Sequence, residues 1–143
     1  MFVGEYEHSI DYKGRVSVPK KFREALGREP VLTRGLDGCL FLYSRNSWEE
    51  LAKKMVALPL TQADARAFSR YLFAGAVEVD FDKLGRISLP EYLRKYAALK
   101  KEAIVIGVLE RIEVWDKNKW KKMEAKLRAG GEALAERLRD SGI

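Results

Sequence analysis

The sequence predicts an α+β fold in which two copies of one motif close a shared β-barrel between flanking helices. Two observations lead to this prediction. The nine residues Asp11–Pro19 return 71 positions later as Asp82–Pro90, with five identities and two conservative changes. Each copy offers only about 50 residues of short strands, too few to bury a sufficient core alone. The copies are therefore expected to complete each other as one pseudo-two-fold unit.

The duplication extends to both sides of this segment. The flanking matches are Gly4 with Gly75, Glu7 with Glu78, Phe22 with Leu93 and Arg23 with Arg94. A second block, Leu40–Trp48, matches Ile112–Trp120 at an offset of 72, so one residue has been gained or lost between the blocks. We divide the chain into a first repeat at residues 1–60, a linking helix at 61–74 and a second repeat with C-terminal helices at 75–143.

Each copy is expected to begin with two strands joined by a tight turn. Phe2–Ile10 and Ala76–Phe81 are the predicted opening strands, the latter with apolar residues at every second position. The turn that follows has the sequence Asp-x-x-Gly-Arg, in which Asp can accept hydrogen bonds from the turn and Gly can adopt a positive φ. The pattern therefore predicts a hairpin to a short second strand, Arg15–Val18 or Arg86–Leu89.

A short helix and two more strands complete each copy. Pro19 and Pro90 suit the first position of a helix, because a missing N–H costs little there. The predicted helices are Lys20–Leu26 and Glu91–Ala97. The remaining predicted strands are Val31–Arg34, Cys39–Tyr43, Ala103–Ile106 and Arg111–Trp115.

Longer helices are predicted to follow near Trp48 and Trp120. Their candidate N-caps are Ser44 or Asn46, and Asp116 or Asn118. Thr61–Asp64 resembles a capping box for the linking helix. Gly130 and Gly131 are expected to interrupt the final helix.

Composition excludes several classes of protein. The 143 residues carry 27 Lys and Arg against 21 Asp and Glu, and the net charge of +6 divides into +3 for each half. Cys39 is the only cysteine and His8 the only histidine, so a disulfide, a Cys/His zinc site and a His-based catalytic pair are all disfavoured. No apolar stretch approaches the ~20 residues of a membrane span, and no signal peptide is evident. We expect a cytoplasmic protein without metal or cofactor that is not an enzyme.

Each repeated turn carries two cations, Lys13 and Arg15 in the first copy and Lys83 and Arg86 in the second. For a single turn the simplest interpretation is structural, with Asp holding the turn and pairing with Arg. Recurrence of the arginine beside a second cation instead favours a basic surface for nucleic acid. An enzyme that uses the Asp/Arg pair on a phosphate substrate is a further alternative, but no phosphate-binding Gly-rich loop supports it.

These motifs resemble the MraZ family of bacterial regulators, which are built from two AbrB-like repeats. The resemblance rests on the opening Met-Phe-x-Gly-Glu-Tyr-Glu-His-Ser-Ile-Asp-x-Lys-Gly-Arg, on Asp82-x-x-Gly85-Arg86 and on the Tyr43…Trp48 and Trp115…Trp120 blocks. It covers nearly the whole chain. It implies a double-split β-barrel of the AbrB/MazE type that binds short direct repeats in the promoter of its own division and cell-wall operon. The family also implies a ring-shaped homo-oligomer.

The resemblance assigns roles to individual residues. Arg15 and Arg86 are implied to contact bases or phosphates of double-stranded promoter DNA, with Lys13 as a further contact. Lys83 is a candidate DNA contact from the second loop, although Leu84 is the residue that aligns with Lys13. The residues expected to shape the loops are Asp11, Gly14, Asp82 and Gly85.

We therefore expect a nucleoid-associated transcriptional repressor. The alternative is an antitoxin-like protein-interaction module, since AbrB-type barrels also occur there with a disordered tail that wraps a toxin. The periodic, helix-forming segment that starts at Glu132 argues against such a tail.

Overall fold

The computed structural model describes all 143 residues and is a mixed α+β structure with antiparallel strand pairing throughout. The strands are β1 Phe2–Ser9, β2 Arg15–Ser17, β3 Val31–Arg34, β4 Leu40–Tyr43, β5 Val77–Glu78, β6 Arg86–Ser88, β7 Glu102–Leu109 and β8 Arg111–Asp116. The helices are α1 Lys20–Leu26, α2 Arg45–Val56, α3 Ala63–Ala74, α4 Glu91–Tyr96 and α5 Lys117–Arg137. The α+β class is confirmed. None of the helices combines the length and apolarity that crossing a membrane requires.

Strands from the two copies are interleaved in both sheets. The larger sheet has six strands in the order β1-β7-β8-β4-β3-β5, so each copy contributes strands next to those of the other. Its longest pairing joins β1 to β7, from Phe2 opposite Leu109 to Ser9 opposite Glu102. The smaller sheet is a ribbon of two strands, β2 and β6. The copies thus share main-chain hydrogen bonds as well as a core.

The pairing of β2 corrects one prediction. A hairpin between the first two strands of each copy was expected, but β1 pairs with β7 and β2 pairs with β6, leaving one isolated bridge between Ile10 and Val16. In the ribbon, Val16 lies opposite Ile87, its counterpart in the repeat. The turn therefore takes the chain from the six-stranded sheet to the ribbon, and the strands on both sides of it pair with strands of the second copy.

A core of nineteen buried residues lies between the six-stranded sheet, the ribbon and helices α1 and α4. Phe22 of α1 and Leu93 of α4, which match in the repeat, are both buried in it. The opposite face of the larger sheet carries a smaller cluster around Phe41, Ile104 and Trp115. Trp120 and Met123 of α5 pack on that cluster. Successive residues of a strand point to opposite faces, so one sheet serves both cores.

Several boundaries follow the predictions closely and others do not. The predicted bounds of α1 and β3 are exact, and Ser44 and Asp116 are the N-caps of α2 and α5. Strand β5 is shorter than predicted because it pairs with β3 over only two residues. Strand β7 is longer than predicted because β1 pairs along its whole length.

Two helix predictions are wrong. The capping box at Thr61–Asp64 does not form: α3 starts at Ala63, and its N-cap Gln62 makes no side-chain hydrogen bond to the helix. Gly130 and Gly131 do not interrupt α5, which continues through both to Arg137. A glycine inside a helix costs only about 1 kcal/mol relative to alanine, and intact helical hydrogen bonding on both sides tolerates that cost.

Candidate nucleic-acid interface

The first Asp-x-x-Gly-Arg turn is closed by the carboxylate of Asp11. Its Oδ1 accepts hydrogen bonds from the backbone N–H of Lys13 at 3.0 Å and of Arg15 at 2.8 Å. Its Oδ2 accepts from Nε of Arg15 at 2.6 Å. The backbone N–H of Gly14 donates to the carbonyl of Asp11 at 2.9 Å. One carboxylate therefore fixes both the path of the loop and the direction of the arginine.

The second turn repeats this pattern with different residues between its ends. Oδ1 of Asp82 accepts from the backbone N–H of Leu84 and of Arg86, each at 2.9 Å. Its Oδ2 accepts from Nε of Arg86 at 2.8 Å. The two loops have the same internal hydrogen bonds, so the repeat in sequence is also a repeat in geometry.

These contacts keep both carboxylates ionised. The pKa of Asp11 is held below its ordinary value, chiefly by the hydrogen bond from the backbone N–H of Arg15 and then by the guanidinium of the same residue. The pKa of Asp82 is lowered in the same way by Arg86. Each loop therefore contains an internal ion pair at neutral pH, and the structural interpretation of the Asp/Arg pair is satisfied.

The pairing register of the ribbon brings the two arginines to one surface. Val16 and Ile87 face inward and are fully buried. The residues on either side of them in the strands point the other way. These outward residues are Arg15 opposite Ser88, and Arg86 opposite Ser17. The outer face of the ribbon is thus made of two arginines and two serines.

Each guanidinium keeps donors that the protein does not use. Arg15 donates a hydrogen bond from Nε to Asp11, and neither of its terminal nitrogens makes a hydrogen bond within the chain. Arg86 uses Nε for Asp82 and reaches Oδ2 of Asp11 from Nη1 at 3.4 Å, which links the two loops. About a quarter of each arginine side chain is exposed, at 26% and 24%. Both side chains are held in place and still present N–H groups outward.

The lysines lie at the exposed tips of the loops. Lys13 and Lys83 are both exposed, and neither forms an ion pair with a carboxylate of the chain. An exposed apolar side chain accompanies each of them, Tyr12 in the first loop and Leu84 in the second. In the first loop the lysine follows the apolar residue, and in the second loop the lysine precedes it.

Two further arginines support the loops, and the sequence reasoning did not assign them to the site. Arg23 of α1 donates from Nη1 to the carbonyl of Val18 at 3.1 Å, and its guanidinium packs against Gly85 in the loop of the other copy. A Cβ atom on Gly85 would overlap that guanidinium. In the sequence, these two arginines could have been noticed because Arg23 and Arg94 occupy matching positions in the two copies.

Arg94 of α4 makes the equivalent contacts with the first loop. It donates from Nη1 to the carbonyl of Leu89 at 2.5 Å and lies where a Cβ on Gly14 would be. The main chain joins the same elements, because the N–H of Leu89 donates to the carbonyl of Gly14 at 2.8 Å. Each loop is thus supported by a helix and strand of the opposite copy.

The chemistry of this surface is that of anion recognition. A guanidinium can bind two phosphate oxygens or the O6 and N7 atoms of guanine with a pair of parallel hydrogen bonds. The serines can donate to phosphate oxygens. No group of three or more His, Cys, Asp and Glu side chains is arranged to hold a metal ion.

Comparison with known proteins identifies a family. The MraZ family model, whose description includes the words "antitoxin-like", matches the chain twice, at residues 1–71 and 72–141. The two matches begin 71 residues apart, which is the offset between Asp11–Pro19 and Asp82–Pro90, and the resemblance to MraZ proteins is confirmed.

Curated relatives match along their whole length. A protein of Acetivibrio thermocellus named Transcriptional regulator MraZ is 52% identical over 143 residues, which is 100% of both chains. A protein of the same name from Desulforamulus reducens is 51% identical over 98% of this chain and 99% of its own. Another from Pelotomaculum thermopropionicum is 51% identical over 100% of this chain and 99% of its own.

Proposed function

Because the chain belongs to the MraZ family, and curated relatives in that family are named transcriptional regulators, we propose that it regulates transcription by binding double-stranded promoter DNA. The binding surface is the outer face of the β2–β6 ribbon. The observation that carries the proposal is the pair of arginines, Arg15 and Arg86, held by their own loops with unused N–H groups directed outward.

The loops support DNA binding by removing the freedom of the side chains before DNA arrives. Binding normally costs about 0.5–1.5 kcal/mol for each mobile side chain that becomes ordered. Asp11 and Asp82 have already fixed the arginines through Nε, so less of that cost remains. Lys13 and Lys83 extend from the loop tips and add phosphate contacts. Asp11, Gly14, Asp82 and Gly85 act by shaping the loops.

The interleaved copies also suggest how the barrel is organised. We interpret the sharing of strands between residues 1–60 and 75–143 as a double-split β-barrel of the AbrB type. The helix that covers most of residues 61–74 links the repeats. One such unit presents two loops related by a pseudo-two-fold axis, and we propose that each unit reads one short DNA repeat.

A single unit offers few cations, and its affinity at physiological salt is expected to be weak. We propose that several copies assemble into a ring and bind neighbouring direct repeats together, which raises the overall affinity by multivalency. Support comes from apolar side chains that a monomer leaves in water, among them Val56, Leu60 and Leu127 with exposed fractions of 82%, 81% and 42%. The proposed target is the promoter of the protein's own division and cell-wall operon, which it represses. Such a repressor acts in the cytoplasm at the nucleoid.

Titration of labelled promoter DNA with Arg15→Ala, Arg86→Ala and the matched Arg→Lys variants tests this function. The Ala variants should bind much more weakly, while the Lys variants should keep part of the phosphate contact and lose the paired hydrogen bonds. Lys54→Ala, on the exposed surface of α2, is the control for loss of one positive charge. Failure of the folded wild type to bind its upstream DNA would instead favour the protein-interaction alternative.

A further inference from the structure

A second basic surface lies where β7 and α5 begin. It is a cleft of about 640 Å³ lined by five lysines, which we term the lysine cleft. These residues are Lys100, Lys101, Lys117, Lys119 and Lys121. Only two carboxylates, those of Glu102 and Asp116, line it with them.

The five lysines fall into two groups. Lys117 pairs with Glu102 at 2.7 Å and with Glu7 at 3.0 Å, and Nζ of Lys119 donates to the carbonyl of Gly38 at 3.0 Å. These two have structural partners. Lys100, Lys101 and Lys121 are exposed and form no ion pair within the chain. Three ammonium groups are therefore available to an anion from outside.

The lysine cleft is continuous with the first DNA-binding loop. The carbonyl of Lys101 accepts from the backbone N–H of Ile10 at 2.8 Å, and Ile10 directly precedes Asp11. A neighbouring hollow is lined by Arg94 and Lys100 together with the ion pair of Glu91 and Lys95, and the guanidinium of Arg94 packs on Gly14 of the loop. A basic path thus runs from the loop past Arg94 to Lys100 and into the cleft.

The equivalent hollow in the first copy is not basic, because Arg45 shares it with Glu49 and Glu78. Its ion pair between Arg45 and Glu78 occupies the place of the pair between Lys117 and Glu7. However, Ser47 and Glu49 stand where the second copy has Lys119 and Lys121. The segment before β3 carries Arg28 beside Glu29, in place of two lysines before β7. At this position the unit is therefore strongly basic in the second copy and mixed in charge in the first.

We propose that the lysine cleft binds the phosphate backbone of the DNA beside the stretch contacted by the two loops, on one side only. The proposal rests on the promoter-binding function above. Phosphates follow one another along the duplex, so a basic path leading away from a bound loop meets further phosphates. Because the extra phosphate contacts lie on one side only, each unit binds a repeat in a single orientation. Direct repeats, which have the same orientation along the DNA, would then be bound by units that share one orientation. DNA, rather than a free anion, is the occupant because the path is continuous with the loop surface.

The test compares the triple variant Lys100→Gln, Lys101→Gln, Lys121→Gln with the wild type. Each phosphate contact contributes about 0.9 to the slope of log K against log salt concentration, so three lost contacts should lower the slope by about 2 to 3 per chain bound. At about 0.1 M salt we expect at least tenfold weaker binding. Hydroxyl-radical footprinting should show protection lost on one side of the repeat and retained at its centre.

A matched control removes the same charge elsewhere. Lys54→Gln, Arg137→Gln, Arg139→Gln changes three exposed cations outside the cleft that form no ion pair within the chain, and should leave the footprint intact. Inorganic phosphate should compete with DNA no better than chloride of equal ionic strength. Thermal unfolding of both triple variants near the wild-type temperature establishes that they fold.

The outcomes separate this inference from the function on which it rests. If the wild type binds promoter DNA, and the cleft variant keeps the full slope and footprint, the loops act alone and the lysine cleft has no role in DNA binding. An equal loss in the control variant, or strong competition by inorganic phosphate, overturns the inference as well. If the wild type does not bind promoter DNA, the proposed function itself fails.

Discussion

Replacement of Gly85 by alanine perturbs the contact between a loop and the opposite copy at one atom. Gly85 has φ +75° and lies against the guanidinium of Arg23, with Nε of Arg23 2.9 Å from the place of a Cβ. A non-glycine residue at positive φ costs about 1 kcal/mol. The new methyl must also displace Arg23 from the carbonyl of Val18, and loss of a hydrogen bond from a charged group costs about 1.5–3 kcal/mol. Together these give about 2.5–4 kcal/mol.

Urea unfolding at a fixed protein concentration measures this loss, and a double-mutant cycle separates its two parts. In a background that already carries Arg23→Ala, the Gly85→Ala change should cost only the backbone part, about 1 kcal/mol. Gly130→Ala is the matched control, because Gly130 lies in α5 with open space around it and the change should stabilise the helix by up to about 1 kcal/mol. A cost for Gly85→Ala below about 1 kcal/mol, or the same cost with and without Arg23, would show that the contact between Gly85 and Arg23 does not stabilise the fold.

Three further predictions concern the loops, the smaller core and a helix end. The pKa values of Asp11 and Asp82 are lowered, so the loop ion pairs are fully present above the ordinary Asp pKa of about 3.9 and are lost only as the pH falls through the lowered pKa values. NMR titration of the two carboxyl carbons should give midpoints below the ordinary Asp pKa. Midpoints at or above the ordinary pKa would contradict the loop geometry. Burial raises the pKa of the Cys39 thiol, so a thiol reagent at neutral pH should label Cys39 only after unfolding, and rapid labelling of the native protein would show that it is accessible. Ser44→Ala should lower the free energy of unfolding by about 1 kcal/mol because the N–H of Ser47 loses its cap, whereas an unchanged urea midpoint would mean that the cap contributes nothing.

Local sequence patterns predicted most of the elements and the composition of the loops. Pro19 and Pro90, expected at the first helical position, are the N-caps of α1 and α4 and still mark where these helices begin. The Asp-x-x-Gly-Arg spacing indicates the turns. In these cases the residues that determine the structure are close together in the chain. The two-fold match in sequence also led to the α+β class built from two copies.

The pairing of β2 with β6 could not be predicted from the same patterns, because each strand of three residues is compatible with several partners. The choice depends on burial of Val16 against Ile87 and on main-chain hydrogen bonds between the copies. The contact of Arg23 with Gly85 depends on the pairing of β2 with β6, so it could not be predicted from local sequence patterns either. The match of Arg23 with Arg94 marked both residues without indicating what they touch.

Fluorescence anisotropy with DNA from upstream of the protein's own operon, comparing the wild type with Arg15→Ala, measures whether the arginine of the first loop binds DNA. We expect saturable binding by the wild type and, in the folded variant, a loss of about 5- to 150-fold for each copy bound, equivalent to the ~1–3 kcal/mol of one paired arginine contact. Equal affinity of the folded variant and the wild type would contradict this expectation, because DNA would then be bound without the arginine that the first loop holds outward.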